Sequence, residues 1–359
     1  MLVAMSTAFI LPAYAYDHEG LALAALEHHI RPGYAAFATA ANGLRSAAAD
    51  LCAAPAPDKL SRARDAFKLA AFSWARIEHL NFGPVAESKR HERLVFWPDP
   101  KGLGRKQVTA IIETADETAF DGRLAGKSIA VQGLTALDIV LFGDGSNGLE
   151  AADAKGSPRC RYAAALTSNI DTIARETSAA WAPGGAYEAT WLKPGADNAA
   201  YLSPKETTQA LLQSYVSGTE MVRDQRLKGQ LGMQKIGAKA LIPMFPNSQI
   251  SIAYMRANIE GQRALLDDGG FIARQTDPPM TDRAKMANTV LGSINEELTR
   301  AIEASKAAEK ASPEPFADDA ARTKLIAMGF PLKNAYVTGG QTIADQAGIT
   351  LGFSALDGD

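Results

Sequence analysis

The chain has 359 residues, enough for two domains, and 47% of them are hydrophobic, which is ample material for folded cores. Its formal net charge is −3 and its Lys and Arg residues form no cluster, which excludes the basic patch that a nucleic-acid surface needs.

Met1 to Leu11 is apolar and leads into Ala13-Tyr14-Ala15, the small-x-small pattern of a cleavage site. Residues 1–15 are therefore expected to be a signal peptide, although the first basic residue is Arg31. An ordinary buried helix is the alternative. Pro12 and the small residues end the run where a cleavage site belongs, which favours the signal. The run is too short to span a bilayer, no other segment looks transmembrane, and no Cys follows closely enough to carry a lipid anchor. The cysteines are Cys52 and Cys160, each at the edge of an expected helix; in a cytosolic chain they read as two unrelated buried thiols, whereas in an oxidising compartment, the reading favoured here, such a pair is expected to form a disulfide between bundles.

Helical punctuation dominates the rest, and the expected class is all-α. Asp58 precedes a helix whose apolar face carries Leu60, Ala63, Phe67, Ala71 and Trp74. Residues 129–142 are apolar almost all round, the mark of a helix buried on most sides. Gly143 to Pro158 is rich in Gly, Asp and Ser and is the best boundary, giving an N-terminal bundle over 16–150 and a C-terminal bundle over 158–359. Residues 183–203 are irregular, but Tyr187, Trp191 and Tyr201 argue that the stretch packs. Ser203-Pro204-Lys205-Glu206 has the shape of a capping box. Thr281-Asp282 opens a helix through Met286, Val290, Ile294 and Leu298, and Ser312-Pro313-Glu314 is expected to open another. No short repeat is visible.

Two carboxylates fall on apolar faces. Glu78 continues the face of Phe67, Ala71 and Trp74, where it is either a buried functional group or a helix-end Glu bonded to backbone. Asp138 shares a face with Thr135, with Gly133 nearby to admit a close neighbour. They either form a site or bond to an adjacent helix and set its register. Trp97 either lines a pocket or packs in the core. Arg256 and Arg263 offer charge to a buried carboxylate, against the default of a solvated Arg. The five histidines (His18, His28, His29, His79 and His91) show no metal-ligand spacing and are expected at the surface or at caps. Nothing resembles a zincin helix, a nucleophile elbow or a P-loop.

Trp74-x-x-x-Glu78, Phe82-Gly83-Pro84 and Trp97-Pro98, with Gly133 to Asp138 and Leu141-Phe142-Gly143, together resemble the signatures of imelysin-like proteins, the peptidase M75 grouping. The chain end, Gly352 to Asp359, is similar to the terminal motif of a proteobacterial branch. The resemblance implies two helical bundles related by duplication, with the motif at their interface. It also implies a periplasmic or outer-membrane-associated location in an iron-regulated context. Some members were described as peptidases; in related iron-uptake domains the His and Glu of a G-x-H-x-x-E helix are proposed metal ligands. Here Thr135 stands where that motif has His and Asp138 where it has Glu, while Glu78 is kept. Thr is a poor ligand for zinc or iron, and Asp remains a hard oxygen ligand. The expected function is therefore non-enzymatic binding of a small ligand or metal, linked to iron handling. Glu78, Thr135, Asp138, Trp97 and Arg256 are the ligand-binding candidates. Glu78 and Asp138 are the candidate ligands for iron or another divalent cation. The alternatives are a metallopeptidase, and a scaffold presenting the loops around Trp97 and Trp191 to an outer-membrane or periplasmic protein.

Overall fold

A computed structural model describes residues 16–272 and 281–350. The expected signal peptide and the terminal 352–359 motif lie outside the described residues. Every regular element among the described residues is helical. In order they are α1 (His18–Ala25), α2 (Arg31–Ala53), α3 (Pro57–Ala75), α4 (Arg90–Leu94), α5 (Leu103–Glu113), α6 (Gly133–Phe142), α7 (Pro158–Trp181), α8 (Glu188–Leu192), α9 (Pro204–Glu220), α10 (Lys228–Leu231), α11 (Ser251–Asp267), α12 (Asp282–Ala311), α13 (Asp319–Ala327), α14 (Gly329–Asn334) and α15 (Gly340–Ala347). Several 3₁₀ turns intervene. Three wider π-helical segments, Leu26–Ile30, Met221–Leu227 and Ala335–Gly339, join α1 to α2, α9 to α10 and α14 to α15. No described helix is long and apolar enough to cross a membrane.

The packing follows amphipathic stripes. In α2, Tyr34, Phe37, Ala41, Leu44, Ala48 and Leu51 are all buried, at alternating spacings of three and four that keep them on one face. That face packs against α3 and α7. Cys52 and Cys160 are joined by a disulfide, with Cα atoms 5.6 Å apart, at the end of α2 and in the first turn of α7. Helix α7 follows the Gly143–Pro158 segment, yet it packs on α2 and α6, which precede that segment. In the second half of the chain α12 packs against α11, α13, α14 and α15, and α11 reaches across to α3.

Three local expectations change. The apolar run from 129 does not make one helix: a 3₁₀ turn at Ile129–Val131 ends in extended Gln132, and α6 starts at Gly133. Ser312 to Ala317 forms turns, and the next helix begins at Asp319, capped by Asp318 accepting from Ala321 N at 2.8 Å. The reason is Pro315: together with Pro313 it disfavours helical backbone at the residues before each proline. In α12 the buried stripe is Ala287, Leu291, Ile294 and Leu298, so Met286 faces outward and is exposed. The aromatic stretch after α7 is packed: Trp191 donates Nε1–H to Ala22 O at 2.9 Å and stacks on Phe82 with centroids 5.1 Å apart. Trp191 is fully buried, so its ring belongs to the core.

Candidate functional site

Glu78 stands just beyond α3, in the turn that follows its last residue, Ala75. It is 2% exposed. Its Oε1 accepts from Arg226 at 2.6 Å, and its Oε2 accepts from Tyr254 Oη and Asn258 Nδ2, each at 3.0 Å. Asn258 Nδ2 also donates to Ala75 O at 2.7 Å, and its Oδ1 accepts from Arg226. The Arg226 guanidinium lies 5.2 Å from the Tyr254 ring centroid. Burial alone would raise the Glu78 carboxyl, but the Arg226 charge and hydrogen bond, with Asn258, hold it below its ordinary value. Both carboxylate oxygens are therefore committed, and the charge is balanced by a cation equally buried. The arrangement fastens α3 to α11 and to the π segment carrying Arg226.

Asp138 has a different environment. It is 1% exposed and accepts only N–H donors: Asn247 Nδ2 at 2.7 Å, Ser248 N at 2.9 Å and Asn247 N at 3.2 Å. No cationic side chain pairs with it among the described residues. Burial is the leading influence and raises its carboxyl, the hydrogen bonds opposing this only in part. Asp138 lines a cavity of about 180 Å³ between α6, the loop from Phe96 to Gly104, and residues 241–247. The walls are mostly apolar, with Phe96, Trp97, Ile242 and Phe245; Thr135, Asn247, Asp99 and Arg105 supply further polar groups. Asp99 is occupied at the start of α5, accepting from Leu103 N at 2.8 Å and Gly104 N at 2.7 Å. Arg105 is exposed and forms no ion pair with Asp138.

The first turn of α6 is built around Gly133. Its φ is +70°, and a Cβ placed there would come within 2.2 Å of Arg93 O and 2.4 Å of Leu94 O, so only glycine lets α6 dock on the end of α4. Two residues on, Thr135 Oγ1 accepts from Phe96 N at 3.2 Å, tying the aromatic loop to α6. Trp97 Nε1 donates to Ile242 O at 3.1 Å across the cavity mouth. Thr135, Asp138 and Trp97 are thus brought together, while Glu78 is outside the cavity lining. Phe245 stands between the two carboxylates: it lines the cavity and packs on Tyr254 with centroids 4.9 Å apart.

Arg256 joins neither group, because it faces α12, where it pairs with Glu309 and donates to Ser305 Oγ at 3.3 Å. Arg263 likewise donates to Asn295 Oδ1, at 3.1 Å. The arginine that meets Glu78 is Arg226, in a π-helical segment where α-helical spacing gives no guide to its direction. Tyr254 and Asn258 had a signal in their spacing of four on an apolar face of α11. The surface reading of the histidines is also corrected. His29 and His79 are buried and meet Nε2 to Nε2 at 3.0 Å, because the fold closes a separation no local spacing reveals. Asn247 and Ser248 sit in an irregular segment with no pattern to mark them.

The pair of Glu78 and Asp138 does not fit a shared cation. Their partners are separate sets of protein donors, and one carboxylate is already neutralised by a guanidinium. Among the described residues no three His, Cys, Asp or Glu side chains converge on one point.

A sequence profile described as Imelysin (Peptidase_M75) matches residues 30–329. The chain belongs to the imelysin family. Two solved structures share its fold. One is an imelysin-like protein from Psychrobacter arcticum 273-4, 20% identical, aligned over 98% of this chain and 100% of that one with a TM-score of 0.69. The other is a putative iron-regulated protein A precursor from Parabacteroides distasonis ATCC 8503, 16% identical, aligned over 93% and 97% with a TM-score of 0.69. None of the curated proteins matches significantly. Among imelysins, then, this chain carries Thr135 and Asp138 on the helix that borders its cavity.

Proposed function

We propose that this imelysin-family chain is a periplasmic binding protein that takes a small organic cation with an apolar body into the cavity beside Asp138, and does no chemistry on it. The observation carrying this reading is the Asp138 carboxylate: buried, bonded only to N–H donors, and set in the lining of a cavity with aromatic walls. A buried carboxylate without a counter-ion is costly, and a ligand ammonium would supply the missing charge. Phe96, Trp97 and Phe245 would receive the body of the ligand and the faces of their rings favour a cation. The volume is slightly larger than the ~150 Å³ that admits a benzene molecule. The expected iron-handling context draws support from the Parabacteroides neighbour, named as iron-regulated.

Thermal-shift titration with phenethylammonium and with its neutral isostere 2-phenylethanol tests the reading. The cation is expected to raise the melting temperature of the wild type, and not that of Asp138→Asn, while the alcohol has little effect on either. Equal shifts from both probes would reject the charge requirement, and no shift from either would reject binding of this ligand class in the cavity.

A further inference from the structure

His29 and His79 are brought together by two close approaches. Gly33, one turn after His29, faces Ile77, where a Cβ would lie 2.3 Å from Ile77 Cγ2. Gly218 on α9 faces His79 and Gln262, where a Cβ would lie 2.5 Å from His79 Cβ and 2.0 Å from Gln262 Nε2. The glycines let α2 and α9 close on the turn after α3, and Gln262 of α11 completes the cluster. His29 sits in the π segment Leu26–Ile30, an irregularity often found at functional sites. The rings of His29 and His79 are 5.1 Å apart between centroids, with their Nε2 atoms 3.0 Å apart. His79 Nδ1 and both amide atoms of Gln262 are buried without a hydrogen-bond partner among the described residues. Native interiors seldom leave such groups unsatisfied; an ion at the two Nε2 atoms would take up Gln262 Oε1, while His79 Nδ1–H and the Gln262 amide N–H are donors that call for a water.

We propose that His29, His79 and Gln262 form a binding site for a borderline transition-metal ion such as Zn(II) or Co(II), ligated by the two imidazole Nε2 atoms and the Gln262 amide oxygen. Two nitrogens on one tetrahedral ion, each at about 2.0–2.1 Å, stand about 3.3 Å apart. The observed separation is within a few tenths of an ångström of that, a gap that small ring rotations close. The donors carry no negative charge, which selects zinc, cobalt or copper over calcium or magnesium. Both imidazoles are buried, which favours their neutral form, the form that ligates a metal. A fourth position is left to a small exogenous donor. This site is independent of Asp138 and of what the cavity binds.

The test uses the full chain without a histidine tag, dialysed against Co(II) and then freed of excess ion. The expected result is a stoichiometric complex with the visible absorption of nitrogen-ligated cobalt and paramagnetically shifted ring protons from two histidines. His79→Gln should lose the bound ion, Gln262→Leu should weaken it by about tenfold or more, and Asp138→Asn should keep it. Substoichiometric cobalt in the wild type, or full occupancy in His79→Gln, would overturn the proposal. Should the His79 variant not fold, the absence of two shifted histidine rings in the wild-type complex would overturn it without any substitution.

Discussion

Glu78 and Asp138 are equally buried carboxylates with opposite electrostatic settings. Glu78 is paired with a guanidinium, so removing its charge strands Arg226 in the core. Glu78→Gln is expected to cost about 3–5 kcal/mol in urea unfolding, whereas Tyr254→Phe, which removes one hydrogen bond, should cost about 1 kcal/mol. The pH dependence has opposite signs for the two acids. Glu78 is held below its ordinary value in the folded state, so its contribution is fully present above that value and is lost as pH falls through the depressed one. Asp138 is held above its ordinary value, so the stability linked to it is present at low pH and is lost as pH rises through the raised value. Denaturation followed across the acid range should therefore show Asp138→Asn losing less stability than the wild type as pH rises through that window. An unchanged slope would contradict the assignment. Both acids were legible in the sequence as carboxylates on apolar faces. Which one was neutralised was not, because Arg226 lies 148 positions from Glu78 and carries no helical pattern linking the two.

At the level of elements, α6 shows where pattern reading succeeds and where it stops. Its apolar composition marks a buried helix, and Gly133, Thr135 and Asp138 can be picked out by spacing. The start of the helix cannot, because Gly133 is fixed by the carbonyls of Arg93 and Leu94, which belong to another element. Gly133→Ala is accordingly expected to cost at least about 2 kcal/mol from positive-φ strain and overpacking. A variant as stable as the wild type in urea would refute this close approach. The turns after α12 had a readable cause in Pro315 beside Pro313, whereas the misplaced Met286 reflects a stripe set by the partners of α12 rather than by its own first turn. The π segments Leu26–Ile30 and Met221–Leu227 leave no trace in hydrophobic spacing, and they carry His29 and Arg226, the residues the sequence least exposed.

Across the whole molecule, the all-helical class follows from the Ala-rich helical punctuation, but the way the halves meet depends on contacts such as α3 with α11. The composition of Gly143–Pro158 marks a break between helices and does not say that α7 returns to α2. The disulfide holds that return. It closes a separation of 108 residues, so the Cys52→Ser, Cys160→Ser protein should lose about 2–5 kcal/mol of stability. Equal denaturation midpoints with and without reductant would show that the crosslink adds nothing. Ligand binding in the cavity on this scaffold can be measured by calorimetric titration with phenethylammonium. Saturable binding to the wild type is expected, weakening as Asp138 is protonated and disappearing in Asp138→Asn. Binding of equal strength in the wild type and Asp138→Asn at neutral pH would contradict it.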